Sequence, residues 1–297
     1  MKRKITLIAI IISLLTIGPA FSQIQSPWEG RILTTYGNSI TAIGNGNQEA
    51  PYKMSKHTPW QILVADKMGF SKHYGRGVGG QRFTWNENTW WANEDGSYNN
   101  RPNGKKQQPE DTSVHLGAFS SWDRITTMIP KESDLILIMG GTNDWGQPIG
   151  EMTFDVNNRT DKQWAESEYF TGDFDLNCFK GGVASTILKM QTWCPDAVIV
   201  LVTPLAGRGK TPGKNAIEED KRNNMVTSQY AQAIKEVGFM MGIPVIDLFG
   251  RAGINNFNRS QFIKDTVHPY GIGEQNKGNE AIARVIIGEL MRIMPQF

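Results

Sequence analysis

Five short segments with the character of strands recur along the chain, and stretches with the period of an α-helix separate them. They are Ile32–Tyr36, His73–Val78, Leu135–Met139, Val198–Thr203 and Pro244–Leu248. Because helical crossovers join the strands, the strands should run parallel and be covered by helices on both faces. We therefore predict an α/β fold, a three-layer α/β/α sandwich around a central, mostly parallel five-stranded sheet.

The N-terminus has the pattern of a secretory signal. Three basic residues, Lys2–Lys4, precede an apolar run from Ile5 to Ile17, and Ala20-Phe21-Ser22 offers small residues at the cleavage positions. The run is shorter than the roughly 20 apolar residues that cross a bilayer. We predict that residues 1–22 are a signal peptide cleaved before Gln23, and that the mature protein is exported, periplasmic or secreted, without a stable membrane anchor.

The charge gives no sign of a nucleic-acid partner. The full chain has 31 Lys and Arg against 29 Asp and Glu, a formal net charge of +2. Removing the leader subtracts three positive charges, so 28 remain against 29 and the net charge becomes about −1. A balanced mature chain lacks the basic excess of a nucleic-acid groove or of a protein that binds anionic membranes.

Two cysteines, Cys178 and Cys194, flank a segment with a helical period. At 1.5 Å per residue the ends of that helix would lie roughly 20 Å apart, which exceeds the reach of a disulfide. We expect both cysteines to be reduced and buried.

Two long irregular stretches interrupt the alternation, at about residues 83–116 and 147–177. The first is polar and rich in Asn and Gly, and it carries Trp85, Trp90 and Trp91. Irregular stretches of this length inside a compact domain are usually functional loops or lids. Since no repeat or linker marks a boundary, we predict that residues 23–297 form a single domain with these two insertions.

Glycine and polar residues follow the first three strands. The first strand runs into Gly37-Asn38-Ser39, the second into Gly79-Gly80-Gln81 and the third into Gly140-Gly141-Thr142-Asn143-Asp144. The carboxyl ends of parallel strands form the edge at which such sheets bind ligands. Taken singly, however, each motif is more typical of an ordinary turn or helix cap.

An Asp-x-x-His motif, Asp265 to His268, precedes the last helical segment and is followed by Pro269. A carboxylate three residues before a histidine can reach one ring nitrogen and fix the tautomer, while the other nitrogen faces a nucleophile. Pro269 restricts His268 to an extended backbone.

In this order and context, the four motifs resemble the four sequence blocks of the SGNH (GDSL-like) hydrolase family. The resemblance implies a flavodoxin-like SGNH hydrolase fold and acyl transfer to water through an acyl-enzyme intermediate. It implies Ser39 as nucleophile, His268 as general base and then acid, and Asp265 as the residue that orients the imidazole. It also implies an oxyanion hole made of the backbone N–H groups of Ser39 and Gly80 and the side-chain amide of Asn143.

One residue departs from the family pattern, because the usual Gly-Asp-Ser is here Gly37-Asn38-Ser39. The family does not use this position in the triad, so activity should survive, although a charge near the nucleophile is lost. The ordinary α/β-hydrolase fold is disfavoured, since the chain has no Gly-x-Ser-x-Gly elbow.

No cofactor or metal is predicted. Gly75, Gly77 and Gly80 have the spacing of a dinucleotide fingerprint, but the segment that follows resembles a loop rather than a helix. Four scattered histidines and two distant cysteines do not have the spacing of a metal site.

Aromatic residues suggest the substrate. Trp145 follows the third motif directly, and with Trp85, Trp90 and Trp91 it is predicted to bind substrate. Aromatic faces among Asn, Gln and Asp suit sugar rings, although the same aromatics could simply pack the insertions against the domain.

The sequence predicts a serine esterase that acts on short-acyl, chiefly acetyl, esters of a small molecule or a polysaccharide. The insertions are too polar for a flap that covers lipid chains. The alternative is a lysophospholipase or a medium-chain acyl esterase or thioesterase. A carbohydrate-binding protein without catalysis is a third hypothesis, and the intact set of Ser, His, Asp and Asn disfavours it.

Overall fold

A computed structural model describes residues 25–42, 58–84, 91–92, 98–99, 118–153, 174–207, 216–263, 265, 267–269 and 276–295. The predicted signal peptide at residues 1–22 and most of the two predicted insertions lie outside the described residues. In the described part of the chain, no helix is both long enough and apolar enough to cross a membrane.

Seven strands are present in the described residues. In chain order they are β1 (Ile32–Gly37), β2 (Lys72–Gly77), β3 (Trp91–Ala92), β4 (Tyr98–Asn99), β5 (Leu135–Met139), β6 (Val198–Val202) and β7 (Val245–Ile246). Five of them form one sheet in the order β2-β1-β5-β6-β7, and every neighbouring pair is parallel. The short strands β3 and β4 pair antiparallel with each other, within a stretch that we expected to be irregular.

Helices cover both faces of the sheet. They are α1 (Ser39–Ala42), α2 (Trp60–Met68), α3 (Trp122–Met128), α4 (Phe179–Trp193), α5 (Ala216–Met241), α6 (Leu248–Arg251) and α7 (Lys277–Leu290), and a 3₁₀ turn spans Arg259–Gln261. Side chains of α2 and α7 share one apolar core with the sheet, and side chains of α3, α4 and α5 share the other. The predicted three-layer α/β fold is confirmed.

The central strand β5 shows why this sequence forms such a layer. Its side chains alternate, so that Leu135, Leu137 and Met139 enter the core beneath α2 and α7, while Ile136 and Ile138 enter the opposite core. All five are buried. A strand covered on both faces has no polar side, and this explains its uninterrupted apolar run.

The last strand is shorter than predicted. The sequence suggested Pro244–Leu248, but the ladder contains only Val245 and Ile246. Asp247 ends the strand, because its carboxylate accepts the N–H of Gly250 at 3.0 Å and caps α6.

The two cysteines lie where the sequence placed them, at the two ends of α4. Cys178 precedes the helix and Cys194 follows it, and both are buried and free. The expectation of reduced, buried cysteines is confirmed, because a helix of 15 residues keeps the two thiols apart.

Phe83 was expected to begin the first insertion, but it belongs to the core. Its side chain is fully buried, stacks on Phe119 with ring centroids 4.3 Å apart and meets Phe179 edge-on at 5.5 Å. Polar and charged neighbours hide this position in the sequence.

Candidate active site

Ser39 lies at the carboxyl end of β1, as the first residue of the short helix α1. Asn38 builds this turn, since its backbone oxygen accepts the N–H of Thr41 at 3.0 Å and its Oδ1 accepts the N–H of Ile40 at 3.0 Å. Ser39 is only 6% exposed. The turn therefore fixes the direction in which the hydroxyl points.

Glycines allow this turn to lie directly against the sheet. A Cβ atom on Gly77 of β2 would stand 2.2 Å from the backbone nitrogen of Ala42. One on Gly37 would stand 2.9 Å from the backbone oxygen of Met139. Both contacts are too short for any side chain, so the glycines at the ends of β1 and β2 permit the close approach that seats α1.

Asn38 is fully buried. Its neutral amide supplies the acceptor for Ile40 without placing a charge in the interior. A charged aspartate at this position would require further hydrogen bonds to offset its desolvation. The departure from the usual Gly-Asp-Ser pattern thus preserves the turn.

Asp265 and His268 form a local unit. Asp265 Oδ1 accepts the backbone N–H groups of Val267 and His268, each at 2.7 Å. Asp265 Oδ2 lies 2.8 Å from His268 Nδ1. The two backbone contacts orient the carboxylate, and the carboxylate orients the imidazole.

The other ring nitrogen of His268 reaches the serine. Nε2 lies 2.9 Å from Ser39 Oγ, although the two residues are 229 positions apart in the chain. Asp265, His268 and Ser39 are therefore joined by one continuous chain of hydrogen bonds.

The ionisation of Asp265 settles the direction of these hydrogen bonds. Partial burial raises the pKa of this carboxyl. Hydrogen bonds from the His268 side chain and from the backbone of His268 and Val267 lower the pKa by more, so that it is about 2. The carboxylate is thus charged at any ordinary pH and can only accept. A neutral His268 then carries its proton on Nδ1, and Nε2 accepts the hydrogen bond of the Ser39 hydroxyl. Such an arrangement can remove the hydroxyl proton while the oxygen attacks a carbonyl carbon.

Gly80 and Asn143 stand at the same edge of the sheet as Ser39. Strand β1 lies between β2 and β5, and Gly80 and Asn143 follow those two neighbours. Gly80 has a φ of +75°, a conformation that favours glycine. Asn143 Nδ2 donates to the backbone oxygen of Gln81 at 3.0 Å, which ties the loop after β5 to the loop after β2. An amide carries two N–H donors, so this contact leaves the second for a bound oxygen.

Comparison with known proteins identifies the family of the chain. The sequence model of the GDSL-like lipase/acylhydrolase family matches residues 35–275, which is most of the 297-residue chain. The chain belongs to this family. As a GDSL-like acylhydrolase it is a carboxylic ester hydrolase, and the resemblance found in the sequence is confirmed. Among curated proteins, no significant match to the chain was found.

Solved structures share the fold of this GDSL-like hydrolase. A protein from Lactobacillus plantarum superposes with a TM-score of 0.58 at 18% identity, covering 88% of this chain and 97% of its own. A carbohydrate acetylesterase from Sinorhizobium meliloti superposes with a TM-score of 0.50 at 14% identity, covering 88% and 99%. At these identities the likeness shows the fold alone.

The predicted substrate residues are placed only in part. Trp145 is half-buried and directly follows the Asn143-Asp144 pair at the active edge of the sheet. Trp85 and Trp90 lie outside the described residues, and of Trp91 the structure describes only the backbone, in β3. Considering only the described residues, we find no group of three His, Cys, Asp or Glu side chains that could hold a metal ion.

Proposed function

We propose that this GDSL-like hydrolase is an exported serine esterase that removes acetyl groups from carbohydrate, with Ser39, His268 and Asp265 as its catalytic triad. The observation that carries the proposal is the continuous hydrogen-bonded chain from Asp265 Oδ2 to His268 and from His268 Nε2 to Ser39 Oγ. A serine hydroxyl is a weak nucleophile until a neighbouring base takes its proton, and His268 stands at the distance that this transfer needs.

In the acylation step, Ser39 Oγ bonds to the ester carbonyl carbon while its proton passes to His268 Nε2. The tetrahedral intermediate then collapses, and the departing alcohol oxygen takes the proton from His268. Water attacks the acyl-enzyme in the second half, with His268 again accepting a proton and then returning it to Ser39 as the acid leaves. Asp265 holds the imidazole in the correct tautomer and stabilises its charged form throughout.

The oxyanion of each intermediate would be held by the backbone N–H groups of Ser39 and Gly80 and by the side-chain amide of Asn143. These three groups follow β1, β2 and β5, which are adjacent in the sheet. Fixed donors of this kind stabilise charge that appears only in the transition state.

A carbohydrate ester is favoured by the surroundings of the site. The half-buried Trp145 follows the loop that carries Asn143, and aromatic faces stack well on sugar rings. One solved structure with this fold is a carbohydrate acetylesterase, so the fold accommodates the chemistry that we propose.

We expect short acyl chains to be preferred. On p-nitrophenyl esters, kcat/KM should be at least about tenfold higher for acetate than for octanoate, because each methylene that does not fit a short acyl pocket loses binding energy in the transition state. The same enzyme should release acetate from acetylated polysaccharides, with the Ser39→Ala variant as the blank. Faster turnover of octanoate than of acetate would contradict the acetyl assignment and favour the medium-chain alternative.

Export can be tested with the full-length chain. Expressed in a bacterial host that exports proteins, the mature protein should begin at Gln23, because Ala20-Phe21-Ser22 supplies small residues for signal cleavage. N-terminal sequencing of the exported fraction gives the answer. A chain that keeps residues 1–22 and remains inside the cell would contradict the proposal.

A further inference from the structure

Asp144, in the loop after β5, has no part in the chemistry proposed above, and it is fully buried. Its Oδ1 accepts the backbone N–H of Thr84 at 2.8 Å, and its Oδ2 accepts the N–H of Phe83 at 3.3 Å. Asn143, one residue earlier, donates to the backbone oxygen of Gln81. Two consecutive side chains of one loop thus form hydrogen bonds with the segment Gln81–Thr84, which directly follows Gly80.

The segment Gln81–Thr84 makes two further contacts, one with Gly140 and one with Phe119. The Phe83 ring lies so close to Gly140 that a Cβ atom there would stand 2.2 Å from it. The backbone N–H of Phe119 donates to the oxygen of Arg82 at 3.0 Å. The segment therefore has a defined place relative to the end of β5, and the carboxylate of Asp144 provides two of its attachment points.

Among the described residues, Arg82 and Tyr230 interact electrostatically with Asp144. Arg82, in the segment Gln81–Thr84, attracts the carboxylate. Burial and the charge of Asp144 raise the pKa of Tyr230, in α5, to about 12. Burial raises the pKa of Asp144, and the hydrogen bonds from Thr84 and Phe83 and the charge of Arg82 lower it by less, so that the pKa is about 6. An ionised carboxylate accepts through both oxygens, whereas a protonated one turns one oxygen into a donor.

We propose that Asp144 is a positioning residue for the oxyanion hole, which holds the loop after β2 against the loop after β5 so that Gly80 and Asn143 keep their places beside Ser39. The inference rests on the proposed function, since it needs Gly80 and Asn143 to act as oxyanion donors. Its attachment points lie within four residues of Gly80, and Asp144 itself is the neighbour of Asn143. Loss of the hydrogen bonds of Asp144 would displace both oxyanion donors, Gly80 and Asn143, while Ser39 and His268 stay in contact.

The test is Asp144→Asn, which keeps the shape of the side chain but only one of its two acceptors. On p-nitrophenyl acetate we expect kcat to fall by about 10- to 100-fold with KM within about twofold, because oxyanion donors act in the transition state rather than on the bound ester. Inhibition by phenylboronic acid tests the oxyanion hole directly. Its boron bonds to Ser39 Oγ as the hydroxyl proton passes to His268, and a boronate oxygen occupies the oxyanion position. Its Ki should rise by the same factor as kcat/KM falls.

Two further variants serve as positive and negative controls. Asn143→Ala removes a donor directly and should raise the Ki for phenylboronic acid in the same way. Asp247→Asn is the matched control, because Asp247 also accepts a backbone N–H, that of Gly250, at the end of β7, three strands away from β1. It should lower the melting temperature and leave kcat and Ki unchanged.

The pH profile separates positioning from simple stabilisation. The ratio of wild-type to Asp144→Asn kcat/KM should fall towards one as the pH drops below about 6, because a protonated Asp144 offers one acceptor, as an amide does. Should Asp144→Asn not fold, Asp144→Ser, which also keeps one acceptor, takes its place.

If Asp144→Asn lowers only the melting temperature, as Asp247→Asn does, and leaves the Ki for phenylboronic acid unchanged, Asp144 is a structural clamp and the inference is wrong. If the wild type hydrolyses no ester, the proposed function fails instead, so the two failures can be told apart.

Discussion

Ser39→Ala is expected to lower kcat on p-nitrophenyl acetate by about 10⁴-fold or more, because the variant has no oxygen to form the acyl-enzyme and retains only binding and oxyanion stabilisation. Folding should be little affected, since the change removes one hydroxyl from a turn that Asn38 already holds. Initial rates and the melting temperature of purified protein check both statements.

A matched serine serves as the control for this variant. Ser71 is exposed and its hydroxyl donates to the backbone oxygen of Arg31, at the opposite end of the sheet from Ser39. Ser71→Ala should therefore retain wild-type kcat. Retention of more than a hundredth of wild-type kcat by Ser39→Ala itself would show that another group is the nucleophile.

His268→Ala is expected to produce a loss of similar size, about 10⁴-fold in kcat, because the serine then lacks the base that takes its proton. The two residues act as one unit, so the double variant Ser39→Ala/His268→Ala should be no slower than either single variant. Additive losses in the double variant would mean that the two side chains work in separate steps.

His73 supplies the matched control for the histidine. Its Nε2 also lies 2.9 Å from a hydroxyl, that of Thr35, but within the ladder of β1 and β2 rather than at the active edge. Burial and the nearby charge of Arg76 lower the pKa of His73 to about 4, so the ring is neutral at assay pH. His73→Gln should leave kcat unchanged, which would show that the loss in His268→Ala is specific to the histidine that contacts Ser39.

Much of the fold could be predicted from the sequence because its signals are local. The uninterrupted apolar run of β5 and the alternation of strand and helix follow directly from a sheet buried on both faces. The end of β7 could not be placed to the residue, because it depends on the Asp247 carboxylate capping α6 rather than on apolar pattern.

The candidate site divides in the same way. The Asp265–His268 pair could be predicted because the aspartate reaches backbone groups two and three residues further along, a contact built into the spacing. The role of Asp144 could not, since its partners Phe83 and Thr84 stand about sixty residues earlier in the chain. Turn chemistry alone explains an Asp after a strand, and only the fold shows which segment it holds.

The substrate side of the site depends on the aromatic residues of the insertions. Of the four tryptophans predicted to bind substrate, only Trp145 has a described side-chain environment: it is half-buried and lies two residues after Asn143, outside both insertions. The substrate assignment is therefore tested by the acyl-chain series and by the release of acetate from acetylated polysaccharides.

The central claim is that one hydroxyl, activated by one imidazole, attacks the substrate. A fluorophosphonate probe tests it most directly, because the Ser39 Oγ–phosphorus bond forms as fluoride leaves and His268 accepts the proton. Mass spectrometry of the digested protein should find a single adduct, on the peptide that contains Ser39, absent from Ser39→Ala and formed far more slowly in His268→Ala. An adduct on another residue that abolishes esterase activity while Ser39 stays unmodified would contradict the account.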